Sequence, residues 1–370
     1  MFLRAAQPDP VDAGRIRLSL PRRLPQTQDG DKKGKYQLAE THLTIIAKTS
    51  CAREAPWYWY FIRMAQFSGV IPILATPFHD DETLDLASLT RMIEFLAPIG
   101  VDGVTLLGVL GESNRLTDSE RTELIKTAIK AAAGLPVIAG CSHTGTAATI
   151  SLAREAADLG AAGVMIAPSR QPVPNDSLVC EYYERIGAAV PIPIVLQDHP
   201  ASTEVHMRVP LILNIAAQVP SIACIKAEAV PSPQKITALR NGLKEIRPIP
   251  ILTGLGGLYG FFDLERGSEG FNTGFAFPEV LMAMVKSVGL GDMDAAYGIY
   301  RLYLPLMVFE QQPGLAIRKE ILRRRGLLTS AHVRHPGGNI DRATADQLQR
   351  LLDRSFPGQD LTKPVRVYQE

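Results

Sequence analysis

The sequence has few of the residues that stabilise small secreted or metal-binding proteins. Its four cysteines, Cys51, Cys141, Cys180 and Cys224, are far apart and form no CxxC pair. This usage is typical of reduced thiols in a cytoplasm, so we expect neither a disulfide nor a zinc site. The seven histidines form no HxH or HxxxH pair, which gives no support for any other metal site.

The chain also lacks an excess of charge of one sign and a long apolar run. It carries 39 basic and 38 acidic side chains, a formal net charge of +1. Such a balance indicates no surface for nucleic acid or for an anionic membrane. No apolar run reaches the roughly 18 to 20 residues that cross a bilayer, and no secretory signal is recognisable. We therefore expect a cytoplasmic protein that binds a small neutral or anionic molecule, with no nucleic-acid or membrane partner.

What is present is enough apolar sequence for one large domain with appendages, since 46% of the 370 residues are hydrophobic. Residues 1–64 show no sustained periodicity and are predicted to be a disordered extension, or to precede the true start at Met64. Residues 65–290 are predicted to form the main domain. Residues 291–356 are predicted to form a helical extension, and residues 357–370 a tail.

From Gly69 onward, short apolar or β-branched runs alternate with amphipathic segments at a regular interval. Eight such units predict an α/β fold, a (β/α)₈ TIM barrel. An open doubly wound sheet is the competing architecture, but the first strand ends without the glycine-rich turn of a nucleotide site. The predicted strands are 70–76, 103–107, 136–141, 163–167, 193–197, 222–226, 249–253 and 270–274. Three further helices, 293–309, 314–325 and 343–355, are predicted to pack against the barrel or a neighbouring subunit.

Lys226 is the residue best placed to carry chemistry. Among the lysines between Met64 and Phe356, it alone ends an apolar strand-like run, and reacting groups of such barrels stand at the carboxyl ends of strands. Burial disfavours the ammonium form, so this lysine would supply a neutral amine that attacks a carbonyl. Glu228, two residues later, is predicted to face the same side and to orient the amine or move a proton. The alternatives are a lysine that reaches solvent or simply pairs with Glu228, and a Glu228 that pairs with an arginine.

Two glycine-containing loops are candidate binding segments. The loop after the second strand contains two glycines that let backbone N–H groups approach an anion, so a substrate carboxylate could dock there. An ordinary βα turn is the alternative. The GxGxxxG segment that starts at Gly254, after strand seven, departs from a dinucleotide fingerprint and is predicted to be a substrate-side loop. The loop after strand two consists of Gly108, Val109, Leu110, Gly111, Glu112 and Ser113.

With Lys226 ending strand six and GxxGE following strand two, the chain resembles the dihydrodipicolinate synthase and N-acetylneuraminate lyase family from about Met64 to Phe356. The resemblance implies an imine between Lys226 and the 2-keto group of pyruvate or a longer 2-keto acid. It implies no metal and no cofactor beyond this covalent imine. It also implies carboxylate binding by Gly108–Glu112 and a homotetramer built from dimers.

The departures from the family pattern narrow the activity. Val109 and Leu110 replace two hydroxyl residues, and the paired tyrosine expected after strand four is missing from residues 167–172. Residues 197–202, 226–228, 277–278 and 334–336 resemble instead the 2-keto-3-deoxy-sugar-acid dehydratases, notably the L-2-keto-3-deoxyarabonate type.

The resulting prediction is a dehydration in which Lys226 forms the imine and Glu228, Ser113 or a water molecule removes the C3 proton. The alternatives are a retro-aldolase or synthase that releases or uses pyruvate, and a catalytically weak 2-keto-acid binding protein. The predicted substrate-binding residues are Gly108, Val109, Leu110, Gly111, Glu112, Gln197, Gly254 and Asn272.

Overall fold

A computed structural model describes residues 67–173 and 175–368, and residues 1–64, the predicted extension, lie outside this range. Eight parallel strands form one sheet, in the order β1, β8, β7, β6, β5, β4, β3, β2. Beyond β1, Ile73 pairs with Thr105 of β2, and Leu74 N donates to the Thr105 carbonyl at 2.8 Å, which closes the sheet into a barrel. The strands are β1 (Gly69–Val70), β2 (Val104–Leu106), β3 (Val137–Gly140), β4 (Gly163–Ile166), β5 (Ile194–Asp198), β6 (Ile222–Ala227), β7 (Ile251–Thr253) and β8 (Gly270–Phe271).

Helices cover the outside of the barrel, and local sequence signals set several of their ends. The helix after β2 begins at a capping box in which Thr117 and Glu120 exchange side-chain to backbone hydrogen bonds. The helix after β3 ends at Gly160 in the left-handed conformation. In chain order the helices are α1 (Leu86–Ile99), α2 (Asp118–Ala132), α3 (Thr146–Leu159), α4 (Asp176–Ala189), α5 (Pro200–Thr203), α6 (Val209–Gln218), α7 (Ser232–Leu243), α8 (Gly260–Glu265), α9 (Pro278–Gly289), α10 (Met293–Glu310), α11 (Leu315–Arg324) and α12 (Arg342–Ser355).

Each predicted strand overlaps an observed one, but the first and the eighth are much shorter than expected, and β8 ends at Phe271 instead of Gly274. The sequence predicts a strand over 70–76, whereas β1 ends at Val70 and only Ile73 makes a further bridge. The chain nevertheless stays extended beyond Val70: Ile71 N and Ile73 N donate to the Phe271 and Thr273 carbonyls on the β8 side, and the Pro72 carbonyl accepts from Thr105 N at 2.8 Å on the β2 side. Pro72 has no N–H to donate, so one bond of the ladder to β2 is missing.

The core has three parts. Side chains such as Ile138, Val195 and Leu252 fill the barrel interior, while a larger cluster lies between the strands and their helices. A third cluster joins β8 and α9 to the C-terminal helices and includes Tyr303 and Phe356, whose ring centroids are 5.3 Å apart. In the described ranges, no helix is long and apolar enough to cross a membrane.

Candidate active site

A cavity of about 180 Å³ opens where the carboxyl ends of the strands meet the C-terminal helices. Ligand sites of (β/α)₈ enzymes lie at this end of the barrel. Its lining combines residues from β5, β6 and the loops after β2, β7 and β8 with residues from α10, α11 and their connection. The lining residues are Ile73, Val109, Leu110, Gln197, His199, Lys226, Glu228, Leu255, Gly256, Thr273, Glu310, Gln311, Gly314 and Arg318.

Lys226, Glu228 and Gln197 form a buried polar group in this cavity. Lys226 Nζ lies 3.2 Å from Glu228 Oε2, and only 4% of Lys226 and 6% of Glu228 is exposed. Gln197 Nε2 donates to the same carboxylate oxygen at 2.8 Å, because β5 and β6 pair with Gln197 opposite Lys226. The register of two neighbouring parallel strands therefore holds the amine and its carboxylate partner in contact.

The Glu228 carboxylate is held in its ionised form. Burial opposes ionisation, but Lys226, His199 and the Gln197 amide together keep the pKa of Glu228 below its ordinary value. Leu255 N also donates to Glu228 Oε1, at 3.3 Å. A Cβ at Gly254 would lie 2.2 Å from that oxygen, so this glycine provides the space that the carboxylate occupies.

The loop after β2 reaches the cavity through Val109 and Leu110. The N–H groups of Gly111 and Glu112 are bonded within the loop, to the Gly108 and Val109 carbonyls. The N–H groups of Val109 and Leu110 donate to no protein atom among the residues that the structure describes. These two backbone donors are thus available to an anion, as the glycine-containing sequence indicates.

Two of the other predicted residues of this loop, Glu112 and Ser113, are not part of the cavity lining. Glu112 is 1% exposed, and its carboxylate contacts Lys319 Nζ at 2.5 Å and Arg115 Nη1 at 2.7 Å. It also accepts from Arg334 N at 3.0 Å, so it ties the loop to the C-terminal segment. Ser113 begins a short 3₁₀ turn next to Glu112 and does not line the cavity.

Asn272, a predicted substrate-binding residue, and His143, a histidine in the loop after β3, also lie outside the cavity lining. Asn272 is buried inside the barrel, where its Nδ2 donates to the Ile71 carbonyl and to Thr105 Oγ1, both at 2.9 Å. His143 is exposed and accepts from Gly145 N at 3.1 Å, which is a local loop contact. In the part of the chain that the structure describes, no group of three His, Cys, Asp or Glu side chains is arranged to hold a metal ion.

Several lining residues are absent from the set that the sequence predicts. The cavity includes His199 and Thr273 from barrel loops, and Glu310, Gln311 and Arg318 from the C-terminal helices. The position of His199 just past β5 was a usable signal, because this end of a barrel strand is where reacting groups stand. No local pattern identifies the other residues, since their place depends on how α10 and α11 pack.

The dihydrodipicolinate synthetase family matches residues 66–355 of this sequence. The chain belongs to this family. Enzymes of the dihydrodipicolinate synthetase family are lyases that use a Schiff base on a lysine and need no cofactor, and this chain is accordingly a lyase.

Individual relatives of this family member have different named activities. The chain is 32% identical to L-2-keto-3-deoxyarabonate dehydratase of Azospirillum brasilense over 303 residues, 78% of this chain and 94% of the relative. It is 29% identical to 4-hydroxy-tetrahydrodipicolinate synthase of Chlorobium luteolum over 294 residues, 78% of this chain and 97% of the relative. Dihydrodipicolinate synthase of Rhodopseudomonas palustris is a similar solved structure, with a TM-score of 0.75, 39% identity and coverage of 78% and 97%.

Proposed function

We propose that this lyase forms an imine between Lys226 and the 2-keto group of a small 2-keto acid, and that it dehydrates a 2-keto-3-deoxy sugar acid. The observation that carries the proposal is the buried Lys226 amine, 3.2 Å from the Glu228 carboxylate in a cavity at the catalytic end of the barrel. Likeness to a L-2-keto-3-deoxyarabonate dehydratase favours a five-carbon sugar acid as substrate.

The reaction follows from the electron-withdrawing imine. The Lys226 amine adds to C2 and the carbonyl oxygen leaves as water, which gives a protonated imine. A base then removes a proton from C3, the electron pair forms the enamine, and the enamine expels the C4 hydroxyl as water after protonation. Hydrolysis of the remaining imine releases the unsaturated 2-keto acid and restores the amine.

We assign the base role to Glu228, and the charges at the site support this choice. The protonated imine at Lys226 and the Glu228 carboxylate form an opposite-charge pair before C3 deprotonation. Afterwards the enamine nitrogen and the carboxylic acid are both neutral, so the step leaves no unpaired charge in the buried cavity. Ser113, the other side chain predicted for this role, does not line the cavity.

A retro-aldolase or synthase that uses the same imine is the second candidate. It is favoured by the synthase relative and by the Escherichia coli protein YagE, whose structure with pyruvate has a TM-score of 0.73, 28% identity and coverage of 79% and 99%. No tyrosine is among the described residues that line the cavity. The buried tyrosine Tyr183, on α4, is not directed to the cavity: its hydroxyl donates to the Ile166 carbonyl at 2.9 Å, and burial raises the pKa of Tyr183 well above its ordinary value.

Product analysis with L-2-keto-3-deoxyarabonate tests the assignment. We expect an unsaturated or rearranged five-carbon 2-keto acid and no pyruvate, and we expect Lys226→Arg to abolish turnover although it retains the positive charge. Release of pyruvate and a two-carbon aldehyde would establish the retro-aldolase instead. Binding of 2-keto acids without any turnover and without a reducible imine would favour the binding-protein alternative.

We also propose that the enzyme works as a cytoplasmic homotetramer, as its family resemblance implies. Large apolar side chains are exposed just before α10 and along it, and this exposure supports a subunit interface; they are Leu290, Met293, Tyr297 and Val308. Light scattering on the purified protein at micromolar concentration should give four times the mass of the chain, and a monomer would contradict the assembly.

A further inference from the structure

The α10–α11 connection and the ends of these helices form a part of the cavity wall outside the eight βα units. Glu310 and Gln311 lie at the end of α10, Gly314 precedes α11, and Arg318 lies one turn into α11. Glu310 is 0% and Arg318 3% exposed. Arginine and glutamate are rarely buried this deeply unless they are paired, and the reaction derived above uses neither residue.

The Arg318 guanidinium is only partly satisfied by its partner. Its Nε and Nη2 each lie 3.1 Å from Glu310 Oε2, and Ala276 N donates to Glu310 Oε1 at 3.2 Å. Arg318 Nη1 has no hydrogen-bond partner among the residues that the structure describes. A buried donor without an acceptor costs roughly 1–3 kcal/mol, so an acceptor that enters the cavity gains by bonding there.

The free Nη1 lies next to the loop after β2. A Cβ at Gly274 would lie 3.1 Å from Arg318 Nη1 and 2.5 Å from Leu110 Cδ1, so the guanidinium and the Leu110 side chain approach each other at this glycine. Val109 and Leu110 have apolar side chains, and the loop therefore offers an anion only backbone N–H groups. Arg318 adds a charged donor near the Leu110 side chain of this loop.

We propose that Arg318, held by Glu310, binds the carboxylate of the 2-keto acid whose keto carbon reacts with Lys226. The inference rests on the proposed function, since it places both ends of one small substrate in a cavity of about 180 Å³ that both cations line. A carboxylate is favoured over a sugar hydroxyl because a hydrogen bond between a guanidinium and a carboxylate is charge-assisted on both sides.

Adduct formation with pyruvate and with its uncharged analogue pyruvamide tests this role. Cyanoborohydride trapping, followed by intact mass, gives the half-saturating concentration of each compound. We compare the wild type with E310Q/R318M, because Arg318→Met alone would leave a buried carboxylate without its counter-ion. We expect the half-saturating pyruvate concentration to rise about 10- to 100-fold, the usual range for a lost hydrogen bond between charged groups, and that of pyruvamide to change much less.

The matched control is E279Q/R325M, which removes another buried pair at the end of α11 that does not line this cavity. In this control, the ratio of the half-saturating concentrations of pyruvate and pyruvamide should equal that of the wild type. If E310Q/R318M does not fold, as judged by thermal unfolding, Arg318→Lys replaces it, because lysine keeps the charge near Glu310 but has no Nη1. We expect the same selective loss.

Three results would overturn the proposal. An equal loss for pyruvate and pyruvamide would mean a structural role, and an unchanged half-saturation for pyruvate would mean that Arg318 does not bind the carboxylate. A loss confined to longer hydroxylated 2-keto acids would assign Arg318 to the distal end of the substrate. The absence of any adduct in the wild type would instead refute the proposed function together with this inference.

Discussion

Replacement of Glu228 by glutamine isolates the proton-transfer step. Glutamine keeps the shape of the side chain but has a single oxygen, so it can accept from only one of the two donors, Gln197 and Leu255 N. It also removes the base and the negative charge. Two opposite charges 3.2 Å apart attract by about 5 kcal/mol at an effective dielectric constant of about 20, which sets the order of magnitude of the support that the protonated imine loses. Loss of a positioned base typically costs about 10²- to 10⁴-fold in rate.

Exchange of the pyruvate methyl protons in D₂O, followed by NMR, measures this step directly, because exchange requires an imine and a base but no leaving group. We expect Glu228→Gln to slow exchange per trapped imine by at least about 100-fold. Asp198→Asn is the matched control, since Asp198 is also buried but pairs with Lys235, outside the cavity. Exchange at the wild-type rate in Glu228→Gln would refute the assignment of the base.

Three further changes test how the surrounding structure supports the site. Gly254→Ala should lower turnover more than imine trapping, because the added Cβ occupies the place of the Glu228 carboxylate. Turnover equal to that of the wild type would contradict this explanation. Lys319→Met should lower the free energy of unfolding by about 1.5–3 kcal/mol in denaturant titrations, since it removes one of the two cationic partners of the buried Glu112 carboxylate and leaves Arg115, and an unchanged free energy would contradict that. The hydrogen bond from Arg334 lowers the pKa of Glu120 from 4.5 to about 2, so its contribution to stability is present above about pH 4.5 and lost as the pH falls towards about 2. Glu120→Gln should flatten the pH dependence of the free energy of unfolding in that range. A profile unchanged from the wild type would mean that other carboxyl groups cause this pH dependence.

The barrel and its central lysine could be predicted because both depend on local sequence. An apolar run of strand length that ends in Lys226 indicates a buried strand, and the two-residue spacing indicates that Glu228 faces the same side. The observed 3.2 Å contact agrees with that geometry. The GxxGE segment likewise indicates a loop with free backbone donors, which Val109 and Leu110 provide.

The C-terminal contribution to the site could not be predicted, because it depends on contacts between distant parts of the chain. Arg318 reaches the cavity only because α11 packs against the barrel, and nothing in its neighbourhood in the sequence indicates that contact. The position of Glu112 depends on the same packing, since Lys319 of α11 binds its carboxylate. The sequence predicts that Glu112 binds the substrate, whereas in the structure its carboxylate forms an ion pair with Lys319.

The central claim is that Lys226 forms the imine, and peptide mapping after borohydride reduction tests it most directly. The enzyme is reduced with pyruvate and, separately, with L-2-keto-3-deoxyarabonate, and the modified lysine is located by mass spectrometry. We expect the adduct on Lys226, its loss in Lys226→Arg, and its persistence in Lys235→Arg, which removes the amine that pairs with Asp198 next to the site. An adduct on another lysine, or no adduct with any 2-keto acid, would contradict the account.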